Sequence, residues 1–150
     1  MSKPNVLFLC TGNACRSQMA EGFARALLGS RINVFSAGIE PHGMNRRAMR
    51  VMAEAGVSIE SHRSKHVDEL RGVTFDHVIT VCGNADQNCP VLPGPARRHH
   101  HGFDDPPKLA ANAQSEEEAL THYRRVRDEI RCFVETELPR LLGLEPVPER

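Results

Sequence analysis

Eight residues near the start of this 150-residue chain have the types and spacing for nucleophilic chemistry on an anion: Cys10, Thr11, Gly12, Asn13, Ala14, Cys15, Arg16 and Ser17. A cysteine thiolate is a nucleophile. Arginine is a planar, permanently charged fork suited to two oxygens of a tetrahedral oxyanion. The loop between them, with small Gly12 and Ala14, would turn successive backbone N–H groups inward as a concave anion site. The flanking elements must position these groups. Val6, Leu7, Phe8 and Leu9 make a short apolar run suited to a strand buried on both faces. Met19, Ala20, Phe23, Ala24, Leu27 and Leu28 fall on one helical stripe with Gly29 as its stop. A helix opening at Ser17 aims its positive end at the loop. Helix dipole, Arg16 and a hydrogen bond from the Ser17 hydroxyl should all favour the Cys10 thiolate and hold its pKa below the ordinary thiol value.

A cysteine, five residues and an arginine, set between a buried strand and a helix, resembles the oxyanion loop of the low-molecular-weight tyrosine phosphatase superfamily. That superfamily includes the thioredoxin-coupled arsenate reductases. The resemblance implies that Cys10 is the nucleophile and that Thr11, Gly12, Asn13, Ala14, Cys15 and Arg16 bind the oxyanion.

Nineteen basic and nineteen acidic residues leave no net charge, so no overall field draws the chain to nucleic acid or an anionic membrane. An anion must be bound locally. The length suits one domain over 1–150, with about 140–150 a loose tail. The first apolar run is too short for a signal peptide or a membrane span. Five cysteines are expected to be chemical rather than structural in a reducing compartment. The expectation is a cytoplasmic monomer with no cofactor and no nucleic-acid or membrane partner.

Strand and helix signals then alternate. Val34 to Ala37 reads as a second strand, and Asn45 as the cap of a helix bearing Ala48, Val51, Met52 and Ala55 that ends at Gly56. Phe75 to Val81 reads as a third strand delivering Cys82, and Arg97 to His101 as a weaker fourth. Ser115 and Glu118 fit a capping box before a long stripe of Leu120, Tyr123, Val126, Ile130, Phe133, Val134 and Leu141. Repeated β-α units predict an α/β fold, a four-stranded parallel sheet with helices on both faces. Its ligand belongs beyond the carboxyl ends of the strands, where Cys10 and Cys82 both fall.

Cys89 comes seven residues after Cys82. On a helix they would stand about 10 Å apart, whereas a disulfide needs Cα atoms within about 7 Å. Pairing them requires the segment to fold back. Gly83, the asparagines and Pro90 argue against a stable helix there, so Gly83 to Pro95 reads as a mobile loop and a redox switch. Reducing a pentavalent oxyanion takes two electrons, which two thiols release on forming a disulfide. A phosphatase has no use for them.

The spacing of Cys10, Cys82 and Cys89 resembles that of the thioredoxin-coupled arsenate reductases. The resemblance extends through Ser36 to Ile39, His62, Phe103 to Pro106 and Arg125 to Ile130. It implies a relay: Cys10 forms an arsenic adduct, Cys82 displaces arsenite by attacking the Cys10 sulfur, and Cys89 then pairs with Cys82 for reduction by thioredoxin. Arsenate is the implied substrate and phosphate its competitor.

Pro106 holds Asp105 in an extended conformation, from which it could protonate the departing oxygen. The superfamily assigns that role to the Asp-Pro aspartate, here Asp105; Asp104 is the competing choice. Pro107 and Lys108 follow where tyrosine phosphatases carry aromatic residues, and the one tyrosine, Tyr123, belongs to the last helix, so an aryl phosphate has little to stack on. His99, His100 and His101 lack a carboxylate or cysteine spaced to complete a metal site. Cys15 is a rival disulfide partner for Cys10, and Cys132 is expected to be an exposed bystander. Many relatives hold potassium through residues that map onto Asn13, Glu21, Ser36 and an aspartate where this chain has Lys65. The Lys65 ammonium is expected to take the cation's place against Glu21. A phosphatase that uses only Cys10, Arg16 and Asp105 is one alternative. A non-enzymatic thiol sensor is the other.

Overall fold

The computed structural model describes residues 3–87 and 96–148. The four strands are β1 (Asn5–Cys10), β2 (Asn33–Gly38), β3 (His77–Thr80) and β4 (Arg97–His100), all parallel in the order β2-β1-β3-β4. Val6 to Cys10 is buried throughout, as the unbroken apolar run requires for a central strand covered on both faces. The chain leaves β1 into helix α1 (Arg16–Leu28), and α2 (Arg46–Glu54) and α5 (Glu116–Cys132) pack with it around Met19, Phe23, Met52, Leu120 and Ile130. Complete burial of such side chains stabilises the fold by roughly 1.5–3 kcal/mol each. Short helices α3 (Gly83–Gln87) and α4 (Pro106–Leu109) follow β3 and β4, and α6 (Leu138–Leu141) ends the helical run.

Asn45 caps α2 through its side chain, which accepts from the Ala48 N–H, and Gly56 supplies the positive φ after it. Ser115 caps α5 as expected. Glu118 does not close the box on Ser115, because its carboxylate accepts from the Gln114 N–H instead. The helical stripe continues past α5 through a π turn at Phe133–Glu137. Pro139 has no N–H to return to the Glu135 carbonyl, which widens the turn. The Val147 N–H fills the gap at 3.4 Å. The stretch expected to trail loosely therefore keeps contact as far as Val147, with Leu144 also packed against the core.

One reading is overturned. Gly83 to Gln87 is not loop but helix. The Cys82 sulfur stands at its start and accepts the Ala85 N–H at 3.4 Å, which satisfies an amide that the first turn otherwise leaves without a partner. Cys89 lies outside the described residues. No helix among the described residues is long and apolar enough to cross a membrane.

Candidate active site

In a parallel sheet, strands that start together also end together. Leu9 pairs with Thr80, so Cys10 at the end of β1 and Cys82 just past β3 emerge on the same edge. Between Cys10 and α1 the backbone carbonyls point outward. Those of Cys10, Thr11, Gly12 and Ala14 accept the N–H groups of Ile39, Glu40, His42 and Asn45 at 2.8–3.2 Å. With the carbonyls so engaged, the amides face the interior of the loop. Among the described residues the N–H groups of Gly12, Asn13, Ala14 and Cys15 donate to no protein acceptor. Arg16 and Ser17 then open α1, with Cys15 as its N-cap and no side-chain cap bond. Unpaired amides and a helix N-terminus converging on one point form an anion site.

The residue that makes this turn is neither Gly12 nor Ala14 but Asn13, at φ +47°. Asparagine tolerates the left-handed region better than most residues, and here its side chain is fixed on every side. Its amide nitrogen donates to Ser17 Oγ at 2.8 Å and Ser36 Oγ at 3.1 Å. Its Oδ1 accepts from Gln18 Nε2 and the Lys65 N–H, both at 3.0 Å. Composition alone favours glycine for such a turn; the available signal was that asparagine also tolerates left-handed backbone. Glycine is demanded one strand away, where a Cβ on Gly38 would stand 2.6 Å from the Thr11 carbonyl oxygen.

Arg16 is nearly buried. Its Nη1 donates to the Phe103 carbonyl at 2.9 Å, and its Nη2 lies 3.6 Å from Asp105 Oδ1. Asp105 keeps the extended backbone that Pro106 imposes, φ −88° and ψ 106°. It lines a cavity of about 490 Å³ together with the loop, Cys82, Asn84, His42 and Lys108. Asp104 is not in that cavity and pairs with Arg125 at 3.0 Å. Tyr123 is buried on α5, its hydroxyl accepting from Asn45 at 3.1 Å, and the cavity contains no phenyl, phenol or indole ring.

Cys10 and Cys82 lie at the cavity floor, both buried. The two thiols line the same cavity and perturb each other's titration. Thr11 Oγ1 is 3.2 Å from the Cys82 sulfur, and Asn84 Nδ2 donates to Thr11 Oγ1 at 2.9 Å, which leaves the Thr11 proton to point at Cys82. The neighbouring Cys10 thiol, the Thr11 hydroxyl, the Ala85 N–H and the Arg16 charge together outweigh burial and pull the Cys82 thiol down to about 5. Cys10 moves the other way. The neighbouring Cys82 and its own burial raise it despite Arg16. The expectation of a depressed Cys10 pKa is thus corrected: the coupled pair favours the thiolate on Cys82 rather than on Cys10. Ser17 is fully buried, and its hydroxyl accepts from Asn13 rather than bonding Cys10 as expected. Cys15 is buried with a raised pKa, chiefly from desolvation, and Cys132 is exposed as expected.

Beside the loop, Lys65 does not reach Glu21 as expected. Its ammonium donates to the Arg63 carbonyl at 3.0 Å, and the cation against Glu21 is Arg25, at 2.7 Å. Ser36 donates to the other Glu21 oxygen. The Asn13, Ser36 and Glu21 oxygens are thus already committed to N–H, O–H and guanidinium donors, and this oxygen set does not fit a potassium ion. His62 completes the cluster, its Nδ1 bonded to Gln18 Oε1 at 3.0 Å. Burial lowers its pKa against the pull of Glu21.

Known proteins resemble this chain in sequence and fold. The family model for low molecular weight phosphotyrosine protein phosphatases matches residues 5–142. An arsenate reductase of Bacillus licheniformis is 50% identical over 130 residues, covering 87% of this chain and 91% of that protein. A solved arsenate reductase in its phosphate-binding state superposes with TM-score 0.70 at 30% identity, covering 93% of this chain and 97% of the other. A thioredoxin-dependent arsenate reductase from Corynebacterium glutamicum gives TM-score 0.61 at 28% identity over 94% of this chain and 62% of its own. The chain belongs to the low molecular weight phosphotyrosine protein phosphatase family and, within it, to the arsenate reductases.

Proposed function

We propose that this arsenate reductase works through Cys10, Cys82 and Cys89, with thioredoxin as the final reductant. The observation that carries the reading is the presence of two buried thiols, Cys10 and Cys82, lining one cavity with the anion-binding loop. A hydrolase needs one thiol there; a two-electron reduction needs a second within reach.

Arsenate docks against the free loop amides and Arg16. As Cys10 attacks arsenic, its proton passes to the Cys82 thiolate, and Asp105 donates a proton to the oxygen that leaves as water. Arg16 and the helix N-terminus stabilise negative charge at the Cys10 sulfur. Cys82 gives up its proton to solvent, its thiolate favoured by the Thr11 hydroxyl, the Ala85 N–H and Arg16, and attacks the Cys10 sulfur. The electrons of the sulfur–arsenic bond leave with arsenic, which departs as arsenite, and a Cys10 to Cys82 disulfide remains. Cys89 then attacks Cys82 and releases Cys10. The Cys82 to Cys89 disulfide passes to thioredoxin. Phosphate competes for the loop, and slow phosphoester hydrolysis follows from the same nucleophile and acid.

Fully reduced protein mixed with arsenate for one turnover, acid-quenched and alkylated, tests the relay by disulfide mapping. The reading requires a Cys82 to Cys89 link that forms with arsenate and not with phosphate or in a matched air control. Cysteines that stay reduced while a phosphoester is hydrolysed would make the protein a phosphatase.

A further inference from the structure

Away from the catalytic edge, two imidazoles meet on neighbouring strands. His77 opens β3, and His99 in β4 lies opposite Ile79, two residues along. They are therefore diagonal neighbours on one face of the sheet. His77 Nδ1 and His99 Nε2 stand 3.2 Å apart, with ring centroids 5.5 Å apart and planes inclined by 22°. Both rings are half-buried.

We propose that His77 and His99 form a binding site for a borderline divalent transition metal ion, of the nickel or zinc class. The spacing carries the proposal. Two nitrogens each about 2.1 Å from one ion, at an angle near 100°, stand about 3.2 Å apart. Imidazole is a preferred ligand of these ions. The rings are in the state that binding needs: burial lowers the pKa of both, and each is further lowered by neighbouring positive groups, so both are neutral at physiological pH. Between neutral rings one N–H now bridges the two nitrogens. The ion takes the place of that proton, which moves to the other nitrogen of the same ring, so no net proton is gained or lost. Among the described residues no third histidine, cysteine or carboxylate completes the set, and water fills the remaining positions. Asp76 lends negative charge near His77 while Arg97 opposes it. His100 takes no part, since its Nδ1 bonds to Thr80 Oγ1 at 2.8 Å.

The test uses the full chain without an affinity tag, in a C10S/C15S/C82S/C89S/C132S background so that thiols do not compete for metal. Calorimetric titration with Ni²⁺ should give one site per chain. His77→Ala and His99→Ala should each weaken it by about tenfold or more, since removing a ligand costs at least as much as disturbing its support. His100→Ala should leave it unchanged. Zn²⁺ added to the same background with all histidines present should shift the ¹⁵N resonances of His77 Nδ1 and His99 Nε2, which answers the question even where a histidine variant fails to fold. Ni²⁺ binding that survives both variants, no saturable binding, or Zn²⁺ shifts confined to other histidines would overturn the proposal.

Discussion

Cys10 and Cys82 line one cavity, and their surroundings push the two thiols in opposite directions, Cys10 up and Cys82 down. The residue proposed to attack second is thus the one held as thiolate. Removing Cys10 should reverse this. With its pKa depressed to about 5, Cys82 is a thiolate at neutral pH and loses that charge as the pH falls through about 5. Cys10→Ala should raise the Cys82 pKa, so that thiolate absorbance near neutral pH falls. An unchanged titration in the variant would mean that Cys10 does not govern its partner.

Thr11 and Asn84 act on the same sulfur. Asn84 donates to Thr11 Oγ1 and so commits the Thr11 proton to Cys82. A hydrogen bond to a charged group contributes about 1.5–3 kcal/mol, so Thr11→Val should raise the Cys82 pKa by about one to two units. Asn84→Ala should do the same more weakly. Pre-steady-state kinetics should show adduct formation nearly intact and arsenite release slowed, by about tenfold for Thr11→Val. Equal slowing of both steps would place Thr11 in oxyanion binding instead.

Exchanging sodium for potassium should leave both turnover and thermal stability of the native chain unchanged. The Arg25 guanidinium already stands 2.7 Å from Glu21, where a cation would sit. The sequence suggested the same outcome through Lys65, whose ammonium instead bonds a carbonyl. A clear rate increase in potassium would show that the network rearranges to admit the ion.

Gly38→Ala places a Cβ against the Thr11 carbonyl at 2.6 Å, a contact that backbone must yield to relieve. Overpacking of this kind costs about 1–3 kcal/mol. Urea denaturation should report the loss, and phosphate affinity should fall with it because the displaced carbonyl belongs to the oxyanion loop.

Much of this was legible in the chain. The strand, loop and helix around Cys10 follow from apolar periodicity, and the alternating β-α pattern forces Cys82 onto the same edge. Local patterns could not reveal which groups the tertiary fold brings together. Arg25 reaches Glu21 four residues back on its own helix, but the reading looked to Lys65 because a position map, not a rotamer, led there. The helix at Gly83 was hidden because its start is capped by a cysteine sulfur, which propensity does not count. The preference for thiolate on Cys82 rather than Cys10 depends on groups that the fold brings together from far apart in sequence, such as Thr11 and Cys82, 71 positions apart, beyond any local signal.

Asp105 and Asp104 are adjacent in sequence but differ in surroundings, which makes them a paired test of the proton donor. Asp105 lines the cavity and stands 3.6 Å from Arg16, whereas Asp104 is spent on Arg125. A positioned general acid contributes about 10²–10⁴-fold. Asp105→Asn should therefore slow formation of the Cys10 adduct by about that factor while leaving the thiol exchange steps intact, because sulfur leaving groups need no such proton. Asp104→Asn should slow nothing and cost at most about 1 kcal/mol of stability, since its ion pair is exposed. Rapid-quench measurement of adduct formation in both variants decides the assignment, and a larger loss for Asp104→Asn would move the acid one residue back.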